Sequence, residues 1–328
     1  MITYGHEKYI AEAINGVLKQ KYDGEIELII ANDNSPDNTD FIIKDTIINA
    51  DKNITIKYKK HDMNLGMMQN FYWAINQATG DFIALCEGDD FWIDPLKIKK
   101  QVDFLNNNLD FGLTFTDVNF VDEDGIIINK NVFSTNQLPF FNDPKIFLVK
   151  KLYYSPCTWL GRKEFLKLDW QNNKIADGTF AMMIEILYKT NVHLILETTA
   201  NYRLLNESAS RTKNLLSAFK REIGLFLTQK YYIGLYDFQD VKEKVNQSCT
   251  TSIAYLLAKN SNNPDFLQVL MLINNVPELT EIRKQIRKWL YICLKPKQFS
   301  FIERLKIAKT LKTDRISKNA FFQFIFKI

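Results

Sequence analysis

The sequence predicts an α/β fold: a mixed, mostly parallel sheet flanked by helices, followed by an α-helical C-terminal region. Three observations predict it. Strand-like apolar runs alternate with helix-like segments through the first half of the chain. With 328 residues, 46% hydrophobic and 24% charged, the chain is long enough for a large domain plus an appendage around a substantial core. From Leu215 onward, strand-like alternation gives way to helical spacing.

Taken in order, "EIELIIA" (Glu25 to Ala31) and "ITIKYKK" (Ile54 to Lys60) read as strands. The segment "GMMQNFYWAINQATG" has helical spacing and leads into a third strand, "DFIALC" (Asp81 to Cys86). A helix from Pro95 to about Leu105 and a further strand, "FGLTFTDVNF", follow. Such alternation implies crossover connections, and in sheets of this kind ligands bind beyond the carboxyl ends of the strands. The helical segments "AFKREIGLFLTQKYYIGLY", "DVKEKVNQSCTTSIAYLLAKN" and "PDFLQVLMLINNV" form the second region. The boundary is placed so that residues 1–212 make the α/β domain and 213–328 a helical region.

Two polar clusters fall at strand ends. In "ANDNSPDNTD", Ser35, Pro36 and Asp37 suit the cap and first turn of a helix. That reading leaves Asn32, Asp33 and Asn34 free to hydrogen-bond a base or ribose. In "CEGDDFWIDP", Glu87, Asp89 and Asp90 crowd three carboxylates into four residues, which repel one another. Asp94 before Pro95 reads as a helix cap, and Phe91 and Trp92 as core anchors. The three earlier acids are not needed to start that helix. They suit Mg²⁺ or Mn²⁺, which take one or two carboxylates plus substrate phosphates.

Bulk properties narrow the classes. A net charge of +4 is too small to argue for nucleic acid. The four cysteines are scattered without a CxxC pair, which points to reduced thiols and a cytoplasmic location rather than a disulfide or zinc framework. No apolar run reaches the length of a membrane span. The tail after Glu281 is basic with interspersed aromatics. It fits either a helix on anionic lipid at the inner face of the membrane or a helix packed on the protein.

The clusters together resemble family 2 glycosyltransferases of the GT-A fold, of the inverting, non-processive type that builds bacterial surface polysaccharides. "TYGHEKYIAEAINGVLKQKY" matches that family's opening strand, Thr-Tyr turn and helix; "NDNSPDNT" matches its Asp-Asp-x-Ser-x-Asp-x-Thr; "NLGMMQNFYWAINQATGD" matches Asn-x-Gly, a helix and Gly-Asp; "EGDD" stands at Asp-x-Asp. The resemblance spans about residues 3–210. It implies a UDP-linked sugar donor held by Thr3, Tyr4, Asp33, Asn34, Asn64 and Gly66, with Arg211 reaching the diphosphate. It further implies a divalent cation on Glu87, Asp89 and Asp90, and Asp177 as the base that deprotonates an acceptor hydroxyl on a glycan or lipid-linked sugar. Glu87 and Asn32 depart from the family pattern, and only Met1 and Ile2 precede Thr3. Either a shorter first strand suffices or the start lies inside a longer reading frame. A sugar-nucleotide nucleotidyltransferase would need a Gly-rich basic loop near the start, which "TYGHEKYI" lacks. An impaired GT-A domain that binds a nucleotide-sugar or a partner without turnover is the alternative.

Overall fold

The computed structural model describes residues 1–48, 54–166, 177–206, 212 and 214–293. The chain groups into two compact units. The first takes Met1–Phe147, Lys151–Asn173 and Gly178–Leu205, and the second takes Leu148–Lys150, Lys174–Asp177 and the chain from Asn206 on.

The first unit opens with strand β1 (Ile2–Thr3), helix α1 (Ile10–Leu18), strand β2 (Ile26–Asn32), helix α2 (Thr39–Ile48) and strand β3 (Ile54–Lys60). These strands form a parallel sheet in the order β1-β2-β3, with Ile2 opposite Ala31 and Ile26 opposite Ile54. Parallel neighbours need a crossover, and α1 and α2 supply it. Within β2, Leu28, Ile29, Ile30 and Ala31 are all buried, the unbroken apolar run of a strand covered on both faces. Edge strand β3 instead places Lys57 and Lys59 in solvent, charges that discourage pairing with a foreign strand.

Helix α3 (Met67–Gln77) leads to β4 (Phe82–Ala84), β5 (Phe91–Trp92), α4 (Lys97–Asn107), β6 (Phe111–Val121) and β7 (Ile127–Asn129). Helix α5 (Pro144–Lys150), strand β8 (Leu160–Arg162), α6 (Lys163–Leu166), α7 (Gly178–Lys189) and β9 (Asn191–Arg203) follow. The second sheet runs β4-β8-β6-β9-β5 with β7 paired to β6. Its long β6·β9 ladder is parallel, while β4·β8, β6·β8, β6·β7 and β5·β9 are antiparallel. A single parallel bridge, Ile2 to Glu87, joins the two sheets and seats β1 between β2 and the segment after β4. The fold is therefore the mixed α/β architecture expected, with the predicted strands at Ile26–Asn32, Ile54–Lys60 and Phe111–Val121.

Helix starts differ from expectation. Helix α2 begins at Thr39, not at Pro36. Ser35, Asp37 and Thr39 instead turn their side chains onto the β1–α1 loop, accepting from the N–H groups of Gly5, Glu7 and His6 in turn. Asp37 also accepts from Thr39 N and Oγ1, so it does serve the helix start. Burial pushes its carboxyl up, but these hydrogen bonds outweigh that and hold it below the usual range. Helix α4 begins at Lys97 with Leu96 at its N-cap and no side chain capping it, so Asp94, which accepts from Leu96 N at 2.9 Å, shapes the turn ahead of the helix and is not the cap expected. Phe91 and Trp92 are buried, the anchors expected.

In the second unit, α8 (Leu215–Leu235), α9 (Lys242–Lys259), α10 (Phe266–Asn275) and α11 (Arg283–Cys293) pack together, α11 against α9 and α9 against α8. Phe219, Phe226, Tyr232, Ile253, Leu270 and Ile286 fill the interior. The beginning of the basic tail is thus a packed helix, with Ile286 and Leu290 fully buried on it. The rest of that tail, from residue 294, lies outside the described residues. Among the described residues no helix is long and apolar enough to cross a membrane. Cys86, Cys157 and Cys249 are buried.

Candidate active site

The carboxyl ends of β1, β2 and β4 meet in the first unit and carry the polar clusters. Asn32, fully buried, accepts through Oδ1 from Ser35 N at 2.9 Å and Ser35 Oγ at 2.7 Å, and its Nδ2 donates to Tyr58 Oη. It closes the turn, which accounts for an asparagine whose role the sequence left open. Asp33 receives its register from β1, its N–H donating to Thr3 O at 3.0 Å. Its carboxylate accepts from Leu65 N at 2.7 Å and Gly66 N at 3.0 Å. Asn64 Oδ1 accepts from the same Gly66 N–H. Asp33, Asn64 and Gly66 therefore come together, as a strand end clasping the loop ahead of α3. Gly66 has φ +84°, a conformation that favours glycine, and Asn34 sits at φ 56°, where asparagine is tolerated. Thr3 is buried, whereas Tyr4 is about half exposed and turns its ring toward solvent.

The acid loop, Glu87 to Asp90, follows β4. Its first member hydrogen-bonds to β1 through the backbone bridge at Ile2, and Gly88 N donates to Ile2 O at 2.9 Å. Glu87 Oε2 is buried without a hydrogen-bond partner. Burial, reinforced by the charge of Asp89, pushes the Glu87 carboxyl up to about 7. Asp89 is the accessible member, and its Oδ2 lies 4.0 Å from His6 Nε2. Asp90 turns inward, only 1% exposed, with Oδ1 accepting from Arg203 N at 2.8 Å. Burial and then the neighbouring charges of Asp89 and Glu87 push its carboxyl well above the usual range.

Among the described residues no three His, Cys, Asp or Glu side chains group closely enough to hold a metal by themselves. That is compatible with the donor chemistry of Mg²⁺ and Mn²⁺, which bind through one or two carboxylates plus substrate phosphates. Glu87 and Asp89 fit this chemistry: one offers an orphaned buried oxygen, the other an accessible carboxylate. Asp90 gives Oδ1 to the N–H of Arg203 on β9, while its Oδ2, like Glu87 Oε2, is buried without a hydrogen-bond partner.

Asp177 precedes α7 and groups with the second unit, where its Oδ2 lies 3.5 Å from Arg221 Nη2. Arg211 lies outside the described residues.

Four residues of this region make contacts that the sequence does not show. His6 shares a hydrogen bond at Nδ1 with Thr3 Oγ1, 3.2 Å, and faces Asp89. A Cβ on Gly88 would meet Thr3 Oγ1 at 2.6 Å and His6 Nδ1 at 2.9 Å, so the middle of the acid motif has no room for a side chain. Arg203 pairs with Glu12, Nη2 to Oε2 at 2.7 Å, and reaches further partners. Its Nε donates to Asp89 O, its Nη1 to Asp122 O and Glu123 O, and its guanidinium lies over Tyr9 and Phe91. Asp117, fully buried in β6, accepts from Val118, Phe133 and Ser134 N–H groups and from the Ser134 hydroxyl. Spacing gives no signal for these, because their partners lie far away in sequence.

Known proteins share this fold. The fold is similar to that of S. aureus TarS 1-349, crystallised with UDP-GlcNAc: TM-score 0.57 at 14% identity over 99% of this chain and 88% of that one. It is also similar to a mannosyltransferase of Pyrobaculum calidifontis in complex with GDP-Man and Mn²⁺, with TM-score 0.52 at 12% identity over 87% of this chain and 83% of that one. In sequence, an uncharacterized protein of Mycobacterium tuberculosis is 37% identical over 38% of this chain and 35% of its own length. The chain thus spans about a third of that relative. An uncharacterized glycosyltransferase of Methanocaldococcus jannaschii is 28% identical over 68% of this chain and 73% of that one. The Escherichia coli glucosyltransferase WfgD, named for transfer from UDP-Glc to an α-D-GlcNAc-diphosphoundecaprenol, is 35% identical over 34% of this chain and 42% of its own. The model of the family "Glycosyl transferase family 2" matches residues 1–169, more than half of the chain, and to that family the protein belongs.

Proposed function

We propose that the chain moves one sugar from a nucleotide-diphosphate sugar, UDP-linked, to a hydroxyl of a glycan or lipid-linked acceptor. The reaction inverts the anomeric centre, uses a divalent cation and serves the synthesis of a surface polysaccharide. The observation that carries this reading is the convergence of Asp33, the Asn64–Gly66 loop and the acid loop at the ends of three neighbouring strands, with Glu87 Oε2 buried and unpartnered. The neighbours support it: TarS is found with UDP-GlcNAc, the mannosyltransferase with GDP-Man and Mn²⁺, and WfgD is named for UDP-Glc and a lipid-linked acceptor.

Asp33 keeps two of its carboxylate lone-pair sites after serving Leu65 and Gly66, and these are available to a base N–H. Asn34 and Asn64 add amides at the same rim, and Tyr4 offers an exposed ring. Thr3 fixes His6 behind the acid loop. Glu87 and Asp89 would hold Mg²⁺ or Mn²⁺, which when bound stabilises charge on the departing nucleoside diphosphate. Asp177 takes the proton of the acceptor hydroxyl while the acceptor oxygen bonds to the anomeric carbon and the bond to the diphosphate oxygen breaks. Residues 1–212 act as the catalytic domain and 213–328 as a helical region toward the acceptor, with Arg211 reaching the diphosphate and the basic tail resting on the membrane surface. The protein works in the cytoplasm, at the inner face of the membrane.

The test is transfer from UDP-sugars with Mn²⁺ or Mg²⁺. Asp89→Ala is expected to abolish metal-dependent transfer. Asp177→Asn is expected to keep donor binding and lose on the order of 10²–10⁴-fold in kcat, the usual share of a general base. A protein that binds no nucleotide-sugar at any metal concentration overturns the reading. Donor binding without transfer to any acceptor marks the binding module instead.

A further inference from the structure

Two edge strands of the first unit are built in opposite ways. β3 turns lysines to solvent, whereas β7 and the residue before it present Ile126, Ile127 and Ile128, which are 65%, 41% and 54% exposed. An exposed apolar edge is a template for another strand, and folded proteins blunt such edges with charge, as β3 does. β7 lies against β6, with Val121 opposite Ile127 and Phe120 opposite Asn129. Among the described residues no strand lies on its other side. Ile126 spends both backbone groups on the turn between these strands. Its C=O accepts from Asp122 N at 2.9 Å, and its N–H donates to Asp122 Oδ1 at 2.8 Å. Backbone groups alternate in direction along an antiparallel strand, so Ile127 turns its N–H and C=O to the open side.

The charges at the two ends of this edge say what fits it. The acidic turn Asp122-Glu123-Asp124 precedes the isoleucines and Lys130 follows Asn129, with Asp124 and Lys130 both exposed. An anionic lipid surface would be repelled by that turn. A second β7, laid antiparallel about a two-fold axis at Ile127, complements it at every position. Ile127 then meets its own copy, Ile126 meets the second copy's Ile128, and Asp124 meets the second copy's Lys130. The pair on the axis is the hydrogen-bonded one, because Ile127 is the residue whose backbone faces outward. A slip of one residue would set Asp124 against Asn129 or Asn131 and leave the lysine unmatched.

We propose that β7 is a self-association edge: two copies of the chain pair their β7 strands antiparallel, about a two-fold axis at Ile127. The contact is isologous, so each Asp124–Lys130 pair occurs twice. Main-chain hydrogen bonds at Ile127 join the sheets of the two copies, and the isoleucines cover one another across the seam. So short a strand makes a small interface, in the class below about 1,200 Å² that gives weak, concentration-dependent dimers. The inference is independent of the transfer reading.

The test is sedimentation velocity of the whole chain over a series of concentrations. The unmodified protein is expected to pass from monomer to dimer as concentration rises, with hydrogen exchange at residues 126–129 slowing by about tenfold over the same range. Ile127→Lys sets two ammonium groups face to face on the axis and is expected to remain monomeric. Asp124→Lys and Lys130→Asp each turn two attractive pairs into repulsive ones, and each is expected to weaken the dimer by about tenfold or more. An equimolar mixture of those two variants restores both pairs and is expected to dimerise as the unmodified chain does. All four positions are at the surface, so an unchanged Tm is expected to accompany each substitution. A chain that stays monomeric at every concentration overturns the proposal. Dimers indifferent to Ile127→Lys overturn it in favour of another face. A mixture no better than its components overturns the antiparallel pairing. Vesicle binding that Ile127→Lys abolishes, with no dimer in solution, overturns it in favour of a lipid surface.

Discussion

At Gly88 and Lys97 in the first unit one side chain, or the lack of one, sets local energetics. The absent Cβ at Gly88 leaves room for Thr3 and His6, and its N–H donates to β1, so neither side can retreat. Gly88→Ala is expected to cost about 1–3 kcal/mol from overpacking and to weaken Mn²⁺ affinity in the presence of UDP, read by urea unfolding and by calorimetry. Lys97 is fully buried, with Nζ donating to Gln101 Oε1 at 2.6 Å and lying 4.4 Å from the centre of the Trp92 ring. Burial pulls its ammonium down to about 7. Between about 7 and the ordinary 10.5 the unfolded chain binds the proton that the folded chain has released, so stability rises with pH across that window. Below 7 both states are charged and the cost of burying the ammonium is constant. Lys97→Met is expected to flatten this rise, by up to about 4 kcal/mol between pH 7 and pH 10.5, in chemical denaturation at stepped pH. The sequence marks neither residue: "EGDD" shows the acids but not what the glycine touches, and Lys97 reads as one more charge on an amphipathic helix.

At the scale of elements, the acid loop hangs between β1 and β9. Arg203 ties it down: its backbone N–H holds Asp90, its Nε holds the Asp89 carbonyl, and its Nη2 pairs with Glu12 on α1. The guanidinium is nearly inaccessible, so Arg203→Ala strands several buried acceptors. About 3–5 kcal/mol of stability is expected to be lost, with donor affinity falling alongside, as thermal unfolding and nucleotide titration would show. Asp117 does for β6 what Arg203 does for β9. Asp117→Ala leaves the buried N–H groups of Phe133 and Ser134 without their acceptor, and faster hydrogen exchange at residues 132–135 is the expected reading. Strand and helix periods made most elements legible in the sequence, β3 to the residue. Pairing was not legible. The two-residue strands β1 and β5 carry too few positions for any period, and the antiparallel β4·β8 pairing joins segments about 80 residues apart. The strand-end location of the clusters could be read because loops after parallel strands carry turn chemistry in the sequence itself. Stitching of Ser35, Asp37 and Thr39 to the β1–α1 loop could not, because a cap and a cross-loop hydrogen bond demand the same residue types.

At the scale of the molecule, the two compact units give ligand effects an address. Trp73, Trp92 and Trp159 belong to the first unit. UDP-GlcNAc with Mn²⁺ at about 100 times its Kd is expected to add about 2.7 kcal/mol to that unit, an upward shift of roughly 5 °C in the tryptophan-fluorescence transition. Hydrogen exchange in α8 to α11 is expected to stay unchanged, and protection there equal to that of β1, β2 and β4 would count against donor contacts centred on those strand ends. The sheet order carries a further consequence, for synthesis. β1, β2, β3 and the acid loop are all made within the first 90 residues, but Asp90 waits for a partner 113 positions later. As the chain leaves the ribosome, the parallel β1-β2-β3 sheet can close early over short crossovers, while the β6·β9 ladder must span about 80 residues. A nascent chain halted before Arg203 would carry every carboxylate of the acid loop with none of them locked to β9. Competence at this strand end is thus timed by the last strand to emerge and not by the motif itself.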